Sequence, residues 1–373
     1  MKTKKTDILI CALFCGFLAV MLVLFLVLPK SDFSEKEKRY LAETPELSWE
    51  NVLSGEFGDE AETYIADHIP GRDFFVGLSA YYDLLSGRQV AQDIYVAGGD
   101  RLVEAPVRMD REAIRRNMKA INGFAELTGA RVDLMIVPSA GYIYRDTVRG
   151  LKDSYEDPAI LQEIYAAAGE NVRPIPLQGI FENAQDLQGL YYRTDHHWTS
   201  MGAYTAYRAY MDILERESKP QEAFAVERTG GFYGTTYARS GLWLTKSEDV
   251  ELWKTNTAFT VTNETGAVHE GLFYEERLQE LDKYTVYLDG NHSLVTIENP
   301  ENAGKGSLLV IRDSYANCLG TLLAHSYEKV VLVDLRYYKQ PVSELLASGE
   351  FTDVLVCYSL SNFMTDANFP WLK

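Results

Sequence analysis

The chain has 373 residues, of which 46% are hydrophobic, 12% aromatic and 24% charged. That apolar content fills one large core or two smaller ones and excludes a disordered or collagen-like polymer. A formal net charge of −18 and 4 cysteines argue against a nucleic-acid partner, which needs a basic face, and against a disulfide scaffold.

Ile8 to Leu28 is an unbroken run of 21 apolar or small residues. Such a run spans a hydrocarbon core of about 30 Å when helical. Lys2, Lys4 and Lys5 precede it, so the positive-inside rule leaves the N-terminus cytoplasmic. The run exceeds a secretory apolar region, and Leu26 to Lys30 lacks a small-residue cleavage site. The reading is a cytoplasmic tail (residues 1–7), an uncleaved transmembrane signal anchor in the lipid bilayer (8–28) and an extracytoplasmic remainder. A cleaved signal and a buried core helix are the alternatives. Residues 1 to 30 hold four Lys and one Asp, so the external part is more acidic than the whole. This suits solubility, and also neutral or cationic ligands.

Residues 29–105 read as a polar stalk followed by a helical and hairpin segment. The helical spacing from Glu60 to Leu85 is interrupted at Ile69-Pro70-Gly71, and a hairpin is centred on Gly98-Gly99. From 106 to 373 the pattern alternates. Helices are expected over Arg111–Leu127, Ala159–Ala168, Ser200–Ser218 (capped by Thr199 or Ser200), Tyr315–His325 and Ser343–Ser348. Strands are expected over Val132–Val137, Val172–Leu177, Leu308–Ile311, Val330–Asp334 and Val354–Tyr358. This order predicts an α/β fold with a parallel sheet flanked by helices. Residues 228–304, with Gly230-Gly231, alternating Thr, Val and Tyr, and several turns, read as a β-rich insertion. Cys318 and Cys357 read as free thiols more readily than as a pair. Ligands of parallel sheets bind beyond the carboxyl ends of the strands. Ser139, Asp313-Ser314, Asp334-Leu335-Arg336 and Ser359 to Asn362 are therefore expected along one edge.

Ser314 follows a buried strand and starts a helix, where a hydroxyl is exposed and free N–H groups can hold an oxyanion. The same Asp-Ser also reads as a simple helix cap. The string Arg193-Thr194-Asp195-His196-His197-Trp198-Thr199 carries two adjacent histidines in a chain with 6 His. In an extended segment Asp195 and His197 share a face and His196 takes the other. The carboxylate then orients one imidazole nitrogen while the second faces a nucleophile. The following helix N-terminus lowers the His197 pKa and keeps the ring a base. Metal ligation by Asp195, His196 and His197 is the weaker reading: neighbours on an extended strand diverge, and no H-x₃-H or C-x₂-C pair accompanies them.

These residues resemble the DHHW protein family, and also the SGNH-hydrolase-like acetyltransferases of alginate and cell-envelope polysaccharide O-acetylation. The resemblance rests on Arg193 to Thr199 with Gly202-Ala203, on Tyr64 to Asp73, on Val137-Pro138-Ser139 with Tyr144, on Arg312 to Asn317 and on Val333 to Tyr338. It implies an SGNH-like catalytic domain and a Ser-His-Asp triad of Ser314, His197 and Asp195, with Asp-His preceding Ser. It further implies O-acetyl transfer to a polysaccharide hydroxyl, with acetyl supplied by a membrane-bound O-acyltransferase and no cofactor. Asn362, Trp198, Arg312, Ser139 and Tyr315 are the further substrate or oxyanion candidates. Arg312 stands where a hydrolase shows Gly in G-D-S, and Asn362 is the candidate for the oxyanion asparagine. Tyr191, Tyr192, Trp198, Tyr233, Tyr237 and Trp243 are candidates for stacking on sugar rings. An esterase with the same triad and a non-catalytic, glycan-binding envelope protein are the alternative functions.

Overall fold

A computed structural model describes residues 5–34, 39–88, 90–91, 93–148 and 150–373. Lys2 and Lys4, on which the expected orientation partly rests, lie outside the described residues. The chain divides into two units, Met1–Gln92 with Ala238–Leu244, and Asp93–Tyr237 with Thr245–Lys373.

In the first unit, helix α1 (Lys5–Val27) is long and apolar enough to cross a membrane and buries none of its side chains. Helices α2 (Glu56–His68) and α3 (Arg72–Leu85) lie on either side of the Ile69-Pro70-Gly71 interruption. Proline cannot continue a helix, and Gly71 takes the left-handed conformation (φ 73°) that restarts it.

In the second unit, helix α4 (Arg111–Thr128) begins where the Asp110 carboxylate accepts the N–H groups of Glu112 and Ala113. It ends at Gly129, also left-handed. Helices α5 (Asp157–Ala166), α6 (Ser200–Ile213), α7 (Tyr315–Leu323) and α8 (Val342–Ser348) follow. The strands of the central sheet are β1 (Val132–Val137), β2 (Val172–Ile175), β3 (Thr260–Asn263), β4 (Val268–Glu270), β5 (Leu294–Glu298), β6 (Ser307–Arg312), β7 (Lys329–Asp334) and β8 (Asp353–Ser359). Their order across the sheet is β4-β3-β5-β7-β6-β8-β1-β2. The block β7-β6-β8-β1-β2 is parallel, and β5, β3 and β4 extend it antiparallel.

The central strands are apolar on both faces, as buried parallel strands must be. On β1, Val132, Leu134 and Ile136 join one core with α4 and α5. Met135 and Val137 join the other, with α6 and α7. Each fully buried Val, Leu or Ile contributes about 1.5–3 kcal/mol to the sandwich. Asp133 is the polar exception on β1, clamped by Arg173 at 2.6 and 2.9 Å and by the Tyr210 hydroxyl at 3.1 Å.

The stretch 228–304 holds several strands, as its alternation predicts. Ala225–Phe232 and Glu248–Lys254 pair as a hairpin, but β5 pairs with β7, Leu294 opposite Val333. Local alternation reports strand character and carries no information about which strand is the partner. Cys318 and Cys357 are buried free thiols, and burial pushes the Cys318 thiol up to about 12.

Candidate active site

Because β1, β6, β7 and β8 are parallel, their carboxyl ends share an edge. At the end of β6, Asp313 binds three backbone and side-chain donors. Its carboxylate accepts the Tyr315 N–H at 3.0 Å, the Ser359 N–H at 2.8 Å and the Asn362 amide at 2.8 Å. It thus ties β6, α7 and β8 together and fixes Ser314 at the strand–helix junction. The backbone donors of the first turn of α7 are largely spent. Tyr315 N–H goes to Asp313, Ala316 N–H to the Asp313 carbonyl and Asn317 N–H to the Ser314 carbonyl. The expected supply of oxyanion donors from this helix end therefore narrows to the Ser314 N–H.

The Asp-His-His-Trp segment meets Ser314 from 117 residues away. It is not extended, as its sequence reading assumed. The Asp195 carboxylate accepts the His197 backbone N–H at 2.9 Å, bending the chain into an Asx-type turn. The same Oδ1 lies 2.5 Å from His197 Nδ1, and His197 Nε2 lies 2.8 Å from Ser314 Oγ. The other oxygen, Oδ2, accepts the Thr235 N–H at 2.6 Å and its hydroxyl at 2.9 Å. Donors on both oxygens describe an ionised, acceptor-only carboxylate. His197 then carries its proton on Nδ1 and offers the Nε2 lone pair to the Ser314 hydroxyl.

The bend also brings His196 round to the same side. Its ring centroid is 3.9 Å from that of His197, and Nδ1 is 2.5 Å from Thr235 Oγ1. Tyr284, from the β-rich stretch, stacks on the opposite side of the His197 ring at 3.9 Å and 10°. The His197 pKa is lowered, chiefly by burial and next by His196, with Asp195 opposing. The physical cause is thus desolvation rather than the expected helix dipole.

Support for this loop comes from buried groups. Glu248 accepts the N–H groups of Arg193 and Thr194 at 2.8 and 2.7 Å, and burial raises its pKa. Arg101, 3% exposed, donates to the carbonyls of Tyr191, Tyr192 and Gln188. Its guanidinium stacks 3.8 Å from the Tyr144 ring centroid. Trp198 donates its indole N–H to the Tyr315 carbonyl at 3.0 Å, and the Tyr315 hydroxyl donates to the His196 carbonyl. Thr235, Glu248, Tyr284 and Arg101 belong to no spaced motif in the sequence. Gly234 was the available signal, because a Cβ there would lie 2.1 Å from the Asp195 Cβ.

A cleft of about 90 Å³ opens beside this group. Its lining includes Glu104, Ser139, His196, Tyr315, Ser361 and Asn362. Ser139 hydrogen-bonds to Asp157 through both N–H (2.7 Å) and hydroxyl (2.6 Å). Burial pushes the Asp157 pKa up to about 6. Two of the further candidates fall elsewhere. Trp198 is fully buried, with its ring against Phe181 and Tyr315, so it serves packing and offers no face to a ligand. Arg312 is fully buried and pairs with Asp334 at 3.4 Å and Asn291 at 3.1 Å. Its length carries the charge sideways into the protein instead of toward the cleft. Asp334, Leu335 and Arg336 likewise do not line the cleft: Arg336 turns back onto Asp334 at 2.6 Å. Tyr191 and Tyr192 are buried and cannot stack on a ligand, whereas Tyr233 is 37% exposed and packs 4.4 Å from Tyr237. Asp195, His196 and His197 bring three potential metal-ligand atoms within 4.8 Å. However, both His197 nitrogens and both Asp195 oxygens are already engaged in hydrogen bonds, so a metal would have to break the chain to Ser314.

A crystal structure of a DHHW family protein from Eubacterium siraeum is 22% identical, with a TM-score of 0.66 over 74% of this chain and 93% of that one. A structure of Bacillus cereus PatB1 carrying a sulfonyl adduct is 20% identical, with a TM-score of 0.63 over 75% of this chain and 100% of that one. At these identities the likeness establishes the fold. No curated protein matches the chain significantly. The family model described as DHHW protein matches residues 112–333. As that match runs over more than half the chain and takes in both sides of the contact between His197 and Ser314, the chain belongs to the DHHW protein family.

Proposed function

We propose that this chain is a membrane-anchored, extracytoplasmic O-acyltransferase that places acyl groups, acetyl by family resemblance, on a cell-envelope or exopolysaccharide hydroxyl. The observation that carries the proposal is the continuous chain from Ser314 Oγ through His197 to Asp195, at 2.8 and 2.5 Å, beside a polar cleft. His197 Nε2 takes the Ser314 proton as Oγ attacks the acyl carbonyl, and returns it to the leaving group as the tetrahedral intermediate collapses. The glycan hydroxyl then attacks the acyl-serine. Its proton passes to His197 and on to Ser314 Oγ, which restores the free enzyme. The Ser314 N–H, together with Asn362, whose amide gives one hydrogen to Asp313, is the proposed oxyanion donor set. Helix α1 is the proposed anchor, with the second unit outside, and a membrane-bound O-acyltransferase is the proposed acyl donor.

A protein of this fold that carries a sulfonyl adduct makes sulfonylation a natural probe. Phenylmethanesulfonyl fluoride added to the full chain in detergent is expected to label Ser314. Labelling should vanish in Ser314→Ala and slow by at least about a hundredfold in His197→Ala. Absence of labelling in folded wild-type protein would overturn the proposal.

A further inference from the structure

His196 has no part in the chain from Ser314 to Asp195, yet it lines the cleft beside that chain. Its tautomer follows from the hydrogen bonds around it. Among the donors that Asp195 accepts is the Thr235 hydroxyl at 2.9 Å. The single Thr235 hydroxyl proton is spent there, so Thr235 Oγ1 can only accept from His196 Nδ1, 2.5 Å away. Neutral His196 therefore carries its proton on Nδ1 and has a lone pair on Nε2. Nε2 has no hydrogen-bond partner among the described residues, and the ring is about one quarter exposed. Two imidazoles thus sit 3.9 Å apart, both locked by Asp195 as Nδ1–H tautomers, one directly and one through Thr235. One lone pair addresses Ser314; the other belongs to a ring of the cleft lining.

We infer that His196 is the residue that orients the acceptor: its Nε2 takes a hydrogen bond from a hydroxyl of the incoming sugar, seating a neighbouring hydroxyl where His197 can deprotonate it. The inference rests on the acyltransferase reading above and adds to it a selection for acceptors that carry at least two hydroxyls. Water has a single oxygen and cannot bridge the two rings in this way, so His196 favours transfer over hydrolysis.

The test follows the fate of one intermediate. The full chain in detergent is given p-nitrophenyl acetate with methyl glucoside, and the ratio of acetylated sugar to free acetate is measured. Both products leave the same acyl-enzyme, so the ratio is independent of how fast that species forms. It is expected to fall about tenfold in His196→Ala, the loss of one hydrogen bond to bound substrate. His196→Gln, whose side-chain oxygen can accept at the same place, should restore most of it. An unchanged ratio in His196→Ala overturns the inference, as does a ratio that Gln restores no better than Ala, since packing alone would then explain the loss. Sulfonyl labelling of Ser314 in the same wild-type preparation separates the two readings. With labelling present and the ratio unchanged only the inference fails; without labelling the acyltransferase reading fails with it.

Discussion

Burial makes His197 a weaker base, and the direction of that shift has consequences that a pH profile can read. Its pKa lies below the ordinary imidazole value of 6.5, so the neutral ring, the form able to accept the Ser314 proton, persists into mildly acid solution. Acylation measured as kcat/KM is expected to rise with pH through a midpoint below 6.5 and to be flat at neutrality. A midpoint above that value would contradict desolvation as the governing effect. The same shift acts on stability. The folded state resists protonation that the unfolded chain accepts, so stability rises with pH across the window between the folded pKa and 6.5 and falls on acidification. Ser314 was ambiguous as a residue, because Asp-Ser at a strand–helix junction caps as readily as it reacts. The structure divides the pair: the Asp313 carboxylate takes the Tyr315 N–H at the start of α7, and Ser314 Oγ lies within hydrogen-bond distance of His197.

At the scale of elements, the placing of His197 depends on how α6 begins. Thr199 accepts the Gly202 N–H at 3.2 Å and gives its own N–H to the Leu190 carbonyl at 2.9 Å. Gly202 sits against that same carbonyl, where a Cβ would be 2.1 Å from the oxygen and 2.8 Å from the Trp198 Cβ. Gly202→Ala should therefore push α6 away from the Asp-His-His-Trp turn. A cost of roughly 1–3 kcal/mol is expected, as for other overpacked sites, readable as a lower denaturant midpoint. A loss of activity should accompany it that exceeds the loss of folded protein. An unchanged midpoint would mean that the first turn of α6 yields at little cost. The caps, the proline break before α3 and the apolar strands β1, β6, β7 and β8 were legible because each is decided by residues within a few positions of one another. The bend at Asp195 was not. A carboxylate that turns back on the N–H two residues later competes with extended backbone, and only the packing of Thr235 and Tyr284 decides the outcome.

For the whole molecule, the one strongly apolar helix sets the expected behaviour. If α1 anchors the chain as proposed, the protein should remain in the membrane pellet after alkaline carbonate extraction. Protease added outside intact cells should remove everything beyond the stalk. Release by carbonate would instead indicate a cleaved signal. The second unit is acidic and its cleft is lined by Glu104 beside hydroxyl, amide, imidazole and apolar groups, which suits a neutral ligand better than an anionic one. Replacing Arg312, the buried last residue of β6, should lower stability rather than change substrate preference, because its partners are Asp334 and Asn291. Removing one member of a buried ion pair typically costs about 3–5 kcal/mol.

The sequence by itself determined the apolar run long enough to cross a membrane, the alternation of helices and strands, and the residue types able to form a hydroxyl–imidazole–carboxylate chain. Hydropathy, capping and periodicity are local properties, and the Asp-His-His-Trp string is distinctive on its own. Tertiary structure decided which groups meet. It joined β5 to β7, turned Arg312 and Trp198 inward, and brought Thr235, Glu248 and Tyr284 to the histidines from segments with no motif of their own. Those contacts span tens to more than a hundred residues, where no spacing rule operates. They depend on the burial of two sheet faces and on every enclosed polar group finding a partner.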